Sequence, residues 1–508
     1  MQEVQSATKL RRVLIVAGLV LYGASCAGTI RTALPWCDEG WFADPAYNLL
    51  TRGVLANSAM DPTFAFSTVR ATGIDRHTYW IMPLYPLAQT AWYRLVGFGL
   101  FSMRSLSFLW GLAALAAWFF TLRDLLHDEA IATTAVAFLA LDFHFVWASS
   151  IGRMDMMALA LGFAALAIYL HWHASHFLPS VFAANCLMAA ALFTHPYTIL
   201  LFVNLVILLF VFDRRRLFKI RTLITAAAPY LAGMAGWAVY IMQDPADFRA
   251  QFGGNAASRY DGLLIFKSPW TAIYRELTQR YFTYYGGASY SAGLSRSKLL
   301  VLGGYIAAAL MILLVRRLHS NPGYKILLVF TFSNCLLFAA FDGKRLWTYL
   351  LYIVPMFSAL LAVAAVNCWR EKLLPRKFLA AAGILFLAVQ FATTWSRISH
   401  DDYGRKFLPV TRFLARAADA KLVMGPSELG FQLGFHSGLV DDTRLGCRSG
   451  KQADYIVIDD LGYAPAIAYL GRADPECYRY IQDELGHRYN TVYAAAGYRI
   501  YRAYRQAF

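Results

Sequence analysis

Long apolar runs, separated by short polar or basic stretches, recur along the chain from residue 13 to residue 396. They give twelve candidate helices: 13–30, 80–98, 102–121, 131–149, 155–171, 178–194, 196–212, 222–242, 298–315, 326–341, 346–366 and 377–396. A helix rises about 1.5 Å per residue, so about twenty apolar residues cross a hydrocarbon layer roughly 30 Å thick. The pattern therefore predicts an α-helical polytopic membrane protein. From about residue 398 it changes. "KLVMGP" and "ADYIVIDD" read as buried strands, "ECYRYIQDELG" as an amphipathic helix and "TVYAAAGYRIYRAY" as a closing hairpin. The expected organisation is a membrane domain over 1–397 and a small soluble α/β domain over 398–508.

Charge fixes the number of crossings. With Lys9, Arg11 and Arg12 placing the N-terminus in the cytoplasm, twelve crossings would put the basic runs at 214–221, 316–317 and 370–377 outside. That breaks the positive-inside rule three times. Removing one early segment repairs all three. The weakest is "WIMPLYPLAQTAWYRLVGF" at 80–98, which carries two prolines, Gln89, Arg94 and interfacial aromatics. It reads as a helix lying on the membrane surface. Eleven spans remain, with outer loops at 31–101 and 243–297 and the C-terminal domain extracytoplasmic. The implied location is a multi-pass inner membrane.

Composition agrees and narrows the class. The chain is 58% hydrophobic and 15% charged, against about a quarter charged in a soluble domain. The net charge of +16 falls largely in the short loops between spans, so it predicts no nucleic-acid partner. The first segment lacks a small-x-small cleavage site and reads as a retained helix rather than a removed signal. Cys26, Cys186, Cys335 and Cys368 lie in or beside spans and read as small core residues. Cys447 and Cys477 lie in the polar tail, where a disulfide requires an oxidising compartment.

The eleven-span topology gathers the reactive side chains on one side. "LPWCDEGWFADPAYNLLTRG" at 34–53 places Asp38 and Glu39 side by side at the membrane border, ahead of an amphipathic piece. Ordinary helix-stop residues would look the same, but two surface segments beside them put the pair at headgroup depth. Asp155, His195 and the "FDGKRLW" turn at 341–347 fall on the same side. Asp142 and His144 lie inside the third span, as either a functional pair or a mutually satisfied one. The Gly- and Asn-rich stretch around 253–258 is either a lid or a spacer.

In order and sidedness these features resemble the C-type (GT-C) integral-membrane glycosyltransferases, in particular the protein O-mannosyltransferases and the lipid A aminoarabinose transferase. The resemblance rests on Asp38-Glu39 after the first span, "YWIMPLYP" in a surface helix, "SMRSLSFLWG" opening the next span, "GRMD" with Asp155 and "GKRLWTYLLYIVP" before a late span. It covers roughly residues 10–400. It implies a polyprenyl-phosphate-linked sugar donor and inverting transfer to a hydroxyl of a lipid, glycan or protein acceptor. Asp38 is the expected general base, with Glu39 as neighbour and orienter and Asp155 as a third catalytic carboxylate. Arg76, His77, Arg153, His195, Lys344, Arg345 and Tyr349 are the expected donor-phosphate ligands.

Two departures stand out. Some members bind a divalent metal through a Glu in the first outer loop and a His in the second, but residues 243–297 contain no His. The first loop offers Asp44, Asp61, Asp75 and His77 as ligands for Mg²⁺ or Ca²⁺. The usual Lys-Pro-Pro is replaced by "DRHTYWIMP", leaving Arg76 or His77 to meet the phosphate. The competing readings are a transporter or flippase and a polymerase of lipid-linked sugars. A transporter predicts internal repeats and mid-membrane charge, and the sequence has no repeat.

Overall fold

A computed structural model of the chain describes residues 2–66, 69–260, 262, 264–286, 296–417, 420–436 and 438–504, with side chains from residue 15 onward except at 65 and 66. The side chains of Lys9, Arg11 and Arg12, part of the second loop and the last four residues lie outside this set.

Helix α1 (Gln2–Thr32) enters the bundle and is followed by α2 (Cys37–Arg52), a two-strand turn of β1 (Ala65–Phe66) and β2 (Val69–Arg70), and α3 (Leu84–Val96). The thirteen residues of α3 reach only about 20 Å, too short to cross. This helix is the segment read as lying on the surface. Next come α4 (Leu100–Leu126), α5 (Glu129–Ala140), α6 (Phe143–Ser150), α7 (Asp155–Trp172), α8 (Phe177–Thr194), α9 (Ile199–Leu217) and α10 (Ile220–Ile241). After short helical turns over 245–286 the bundle resumes with α11 (Lys298–Leu314), α12 (Pro322–Phe341), α13 (Val354–Glu371) and α14 (Arg376–His400).

Among the described residues, eight helices are long and apolar enough to span a membrane, nine if the bent pair α5–α6 counts as one. The expected eleven is not reached on this measure, because α11 is shorter and α13 ends in the charged Arg370-Glu371. The grouping of the loops does agree. Asp128 pairs with Arg370, Arg317 with Glu371 and His173 with Asp213 at one end of the bundle. The segments carrying Asp38, Arg153, His195 and Tyr349 meet at the other.

The third predicted span is broken rather than continuous. Helices α5 and α6 are bent by 64°, and Asp142 caps α6 by accepting from His144 N and Phe145 N at 2.8 and 3.0 Å. Its other oxygen accepts from Tyr305 Oη at 2.9 Å and Gln390 Nε2 at 3.0 Å. His144 meets Tyr284 Oη and the Thr348 carbonyl. Both groups are satisfied within the fold, as buried polar groups must be, and hold the kink.

The tail forms a mixed five-stranded sheet. Strands β3 (Val423–Met424), β4 (Leu439–Val440), β5 (Tyr455–Asp459), β6 (Tyr489–Ala495) and β7 (Tyr498–Ala503) lie in the order β4-β3-β5-β7-β6. The β3–β4 and β3–β5 pairs are parallel; the β5–β7 and β6–β7 pairs are antiparallel. Helices α15 (Tyr463–Ala473) and α16 (Pro475–His487) complete it. Cys447 and Cys477 are joined by a disulfide, with Cα atoms 5.7 Å apart. One sheet face shares a single core with the surface helices: Val457, Leu429 and Ile500 pack in one cluster with Phe42, Ala46 and Tyr85.

That junction is backbone-tight at Gly40. A Cβ there would lie 2.5 Å from the Ser427 carbonyl carbon and 2.6 Å from Glu428 N. Backbone cannot move aside as a side-chain tip can. Gly40→Ala is expected to cost about 1–3 kcal/mol of stability, the range for overpacking, read as a lower thermal midpoint in detergent. Gly53→Ala, with nothing within 4 Å but φ at +72°, is the comparison that reports backbone strain without crowding.

Candidate active site

The acidic pair is divided by helix geometry. Residues 38 and 39 are consecutive in α2, so their side chains point about 100° apart. Glu39 turns inward and is fully buried, while the Asp38 side chain keeps 20% exposure. Glu39 occupies the third helical position and accepts from Trp36 N at 3.1 Å, closing the first turn. It also accepts from Arg104 Nε at 2.8 Å, Arg104 Nη2 at 2.7 Å and Gly152 N at 2.8 Å. The remaining donors of Arg104 reach the carbonyls of Ile30, Ala33 and Leu34 at the end of α1. All five guanidinium N–H groups are thereby engaged. Glu39 ties α1, α2, α4 and the 151–153 loop together and offers nothing to a substrate.

Asp38 faces a cavity. It accepts from Arg153 Nη1, whose Nε donates to Asp155 Oδ2 at 2.9 Å. One guanidinium thus binds two carboxylates from opposite sides and lies over the rings of Trp36 and Phe42. The second Asp155 oxygen lies 3.9 Å from His195 Nδ1. His195 sits in the break between α8 and α9, held by Tyr352 Oη at 3.2 Å. Burial pushes its imidazole down to about 4, so it meets a ligand as a neutral hydrogen-bonding group.

The cavity measures about 160 Å³, and its wall includes Asp38, Arg153, His195, Tyr197, Arg259 and Tyr349, with Trp80, Ile81 and Met82. Arg259 comes from the second loop. Its Nη1 donates to Tyr349 Oη at 2.7 Å and its Nε to Asn255 Oδ1 at 3.1 Å. Tyr349 and Tyr197 are stacked 4.0 Å apart beneath it. The 342–346 turn closes against the same loop, with Gly343 N donating to the Arg259 carbonyl at 2.6 Å. Lys344 lies in this turn, its ammonium pKa lowered by burial and by the Arg259 charge. Arg345 adopts φ +48°. A buried trio anchors the turn: Arg280 binds Glu276, Asp342 and the Leu346 carbonyl.

Four sequence-predicted residues, Asp38, Arg153, His195 and Tyr349, line this cavity, and Asp155 adjoins it through Arg153. Lys344 and Arg345 stand beside it. Arg76 and His77 do not enter it. They line a separate groove of about 1020 Å³, where Arg76 pairs with Asp247 at 3.1 Å and Asp244 at 3.3 Å. The groove is walled by Leu84 and Leu87 of α3, Phe182 and Phe193 of α8 and Trp237 and Tyr240 of α10. Consecutive residues partition the two spaces: Ile81 and Met82 face the cavity, Pro83 and Leu84 the groove. Sequence reasoning missed Arg259, Tyr197 and Arg280, and it quoted Arg104 in the "SMRSLSFLWG" motif without its pairing to Glu39. An arginine within a span marks a site by default, which could have pointed to a buried partner for Arg104. Arg259 carries no local signal.

The residues named for a metal do not converge. Asp44 is buried against Asn48, Ser58 and Ala59 N, and burial pushes its carboxyl up to about 7. Asp61 pairs with Lys451, and Asp75 is exposed. Among the described residues, no group of three or more His, Cys, Asp or Glu side chains could hold a metal ion. These side chains lie in separate environments of the first loop rather than around one point.

No family model and no curated protein sequence matches the chain. Solved structures do. ArnT from Cupriavidus metallidurans bound to undecaprenyl phosphate superimposes with a TM-score of 0.61 at 14% identity, covering 98% of this chain and 99% of that one. Its apo form gives 0.60. The Archaeoglobus fulgidus oligosaccharyltransferase in complex with Zn and sulfate gives 0.56 at 11% identity, covering 96% and 73%. The likeness to ArnT extends past residue 400 into the C-terminal sheet, further than the sequence resemblance reached. Over nearly its whole length, the chain has the fold of ArnT, and the same bundle is recognisable in the archaeal oligosaccharyltransferase.

Proposed function

We propose that the protein is a glycosyltransferase that moves a sugar from a polyprenyl-phosphate donor to a hydroxyl acceptor at the outer face of the membrane, with inversion. The observation that carries the reading is the cavity whose wall brings together Asp38 and Arg259, supplied by segments over 200 residues apart, with Arg153, His195 and Tyr349. Asp38 takes the proton of the acceptor hydroxyl as its oxygen bonds to the anomeric carbon. The bond to the phosphate oxygen breaks on the opposite side, and the electron pair leaves with the phosphate. Arg153 holds the carboxylate aimed. Arg259, with the Tyr349 hydroxyl and the neutral His195, receives the phosphate charge, the kind of preorganised stabilisation that dominates such steps. The apolar groove beyond Pro83 suits the isoprenoid chain, and undecaprenyl phosphate is the ligand bound in the ArnT structure.

Arg259→Ala is expected to raise KM for the donor and lower kcat, with kcat/KM falling by about 10²–10³-fold, the scale for losing one charge-stabilising donor. Arg259→Lys recovers only part, because a lysine cannot reproduce the planar fork. Steady-state transfer from undecaprenyl-phosphate sugars in detergent, with a cell-envelope extract as acceptor, tests this. Wild-type rates in Arg259→Ala would remove the phosphate role.

A further inference from the structure

One carboxylate of the C-terminal sheet lies inside the hydrogen-bond system of the cavity wall. Asp441 follows β4 directly and is 5% exposed. Its backbone is woven into the first loop: Asp441 N donates to the Ala59 carbonyl at 2.7 Å, and Asp61 N donates to the Asp441 carbonyl at 3.2 Å. Its side chain accepts from three donors. Tyr463 Oη reaches Oδ1 at 2.7 Å, Ser427 N reaches Oδ2 at 3.1 Å, and the Trp41 indole Nε1 reaches Oδ2 at 2.8 Å. The first two belong to segments that follow strands of the sheet, Ser427 after β3 and Tyr463 after β5. The third is three residues from Asp38.

Trp41 does not touch the cavity, but Trp80 does, and the two rings lie 5.2 Å apart at 40°. Phe64 stacks on Trp80 at 14°. The Trp80 carbonyl accepts from Asn255 Nδ2 at 3.4 Å, and Asn255 Oδ1 accepts from Arg259 Nε. The Asp441 carboxylate therefore fixes the indole against which the cavity's aromatic wall rests, and the same wall is tied to the arginine of the second loop. An indole has one N–H and two χ angles, so a single strong hydrogen bond to an ionised acceptor settles its orientation.

We propose that Asp441 is a positioning residue of the transfer site, acting through Trp41 to set the Trp80 face that packs against the donor's sugar ring. The inference rests on the glycosyltransferase reading and deepens it. The donor head is a pyranose or furanose ring presenting C–H groups to an aromatic face. The sheet is a working part of the site.

The test is a double-mutant cycle on donor kinetics, with Asp441→Asn, Trp41→Phe and the pair, and with Tyr463→Phe as control. Trp41→Phe keeps a ring but removes the N–H. Tyr463→Phe removes a donor from the other oxygen of the same carboxylate. The expected result is a rise in donor KM of about tenfold in Asp441→Asn and in Trp41→Phe, the size of one lost hydrogen bond to a charged group. The pair should be no worse than Asp441→Asn alone, with KM for undecaprenyl-phosphate sugar unchanged in Tyr463→Phe. Multiplying effects, or wild-type KM in Trp41→Phe, overturns the relay. If Asp441→Asn does not fold, Trp41→Phe against Tyr463→Phe carries the test, and equal effects overturn it. Absence of transfer by the wild-type chain, which retains every group named here, overturns the glycosyltransferase reading instead.

Discussion

Asp38→Asn is expected to lower kcat by roughly a thousandfold, within the range a positioned general base contributes, while donor binding and the thermal midpoint stay close to wild type. The asparagine keeps the shape and can still accept from Arg153, so the 151–155 loop is held. It loses the basicity that removes the acceptor proton. The appropriate readout is single-turnover transfer of labelled sugar, with binding of undecaprenyl phosphate measured separately. Retained turnover sinks the assignment of Asp38 as the base. Loss of binding together with turnover instead makes the Asp38–Arg153 pair a structural strut. Glu39→Gln should behave differently, because Glu39 reaches no substrate. Its effect belongs to folding and to the placement of α2.

The second large effect lies in that buried pair. Arg104→Met is expected to destabilise the protein by about 3–5 kcal/mol, the cost of leaving an uncompensated charge inside. Glu39 would keep two backbone donors, Trp36 N and Gly152 N, and lose its counter-charge. The carbonyls of Ile30, Ala33 and Leu34 would lose their common donor. Removing both charges, as in Glu39→Leu with Arg104→Met, should recover much of the loss in stability but not the activity, since nothing then aims the first turn of α2. Unfolding midpoints in detergent beside transfer rates separate the two. Equal loss of stability in the single and double variants would show that the carbonyl contacts, not the charge, dominate.

Elements with a local physical cause were legible in the sequence. A span must be apolar along its whole length, and α4, α7, α8 and α12 appear where hydropathy places them. The prolines and interfacial aromatics of 80–98 marked α3 as a surface helix, and β-branched runs marked β3 and β5. Long-range pairing was not legible. That Glu39 faces Arg104 while Asp38 faces Arg153 depends on which side of α2 the rest of the bundle covers. Arg76 looked like a phosphate ligand by its place in the first loop, but the fold pairs it with Asp244 and Asp247 from the second. Arg259 follows a stretch that reads equally as lid or spacer, and its contact with the Tyr349 hydroxyl gives it a role. The break at Asp142 was invisible because the apolar run continues through it.

That break bears on how the chain is made. Asp142 enters the bilayer with its helix, but the side chains that satisfy its second oxygen lie 163 and 248 residues further on, at Tyr305 and Gln390. At 5–20 residues per second, ribosomes supply the last of them roughly 10–50 s later. Over that interval an unsatisfied carboxyl sits among half-assembled helices at a cost of several kcal/mol. The early helices are therefore expected to wait beside the translocon or a membrane chaperone. Nascent chains arrested before residue 390 should crosslink to that machinery, and those arrested after it should release.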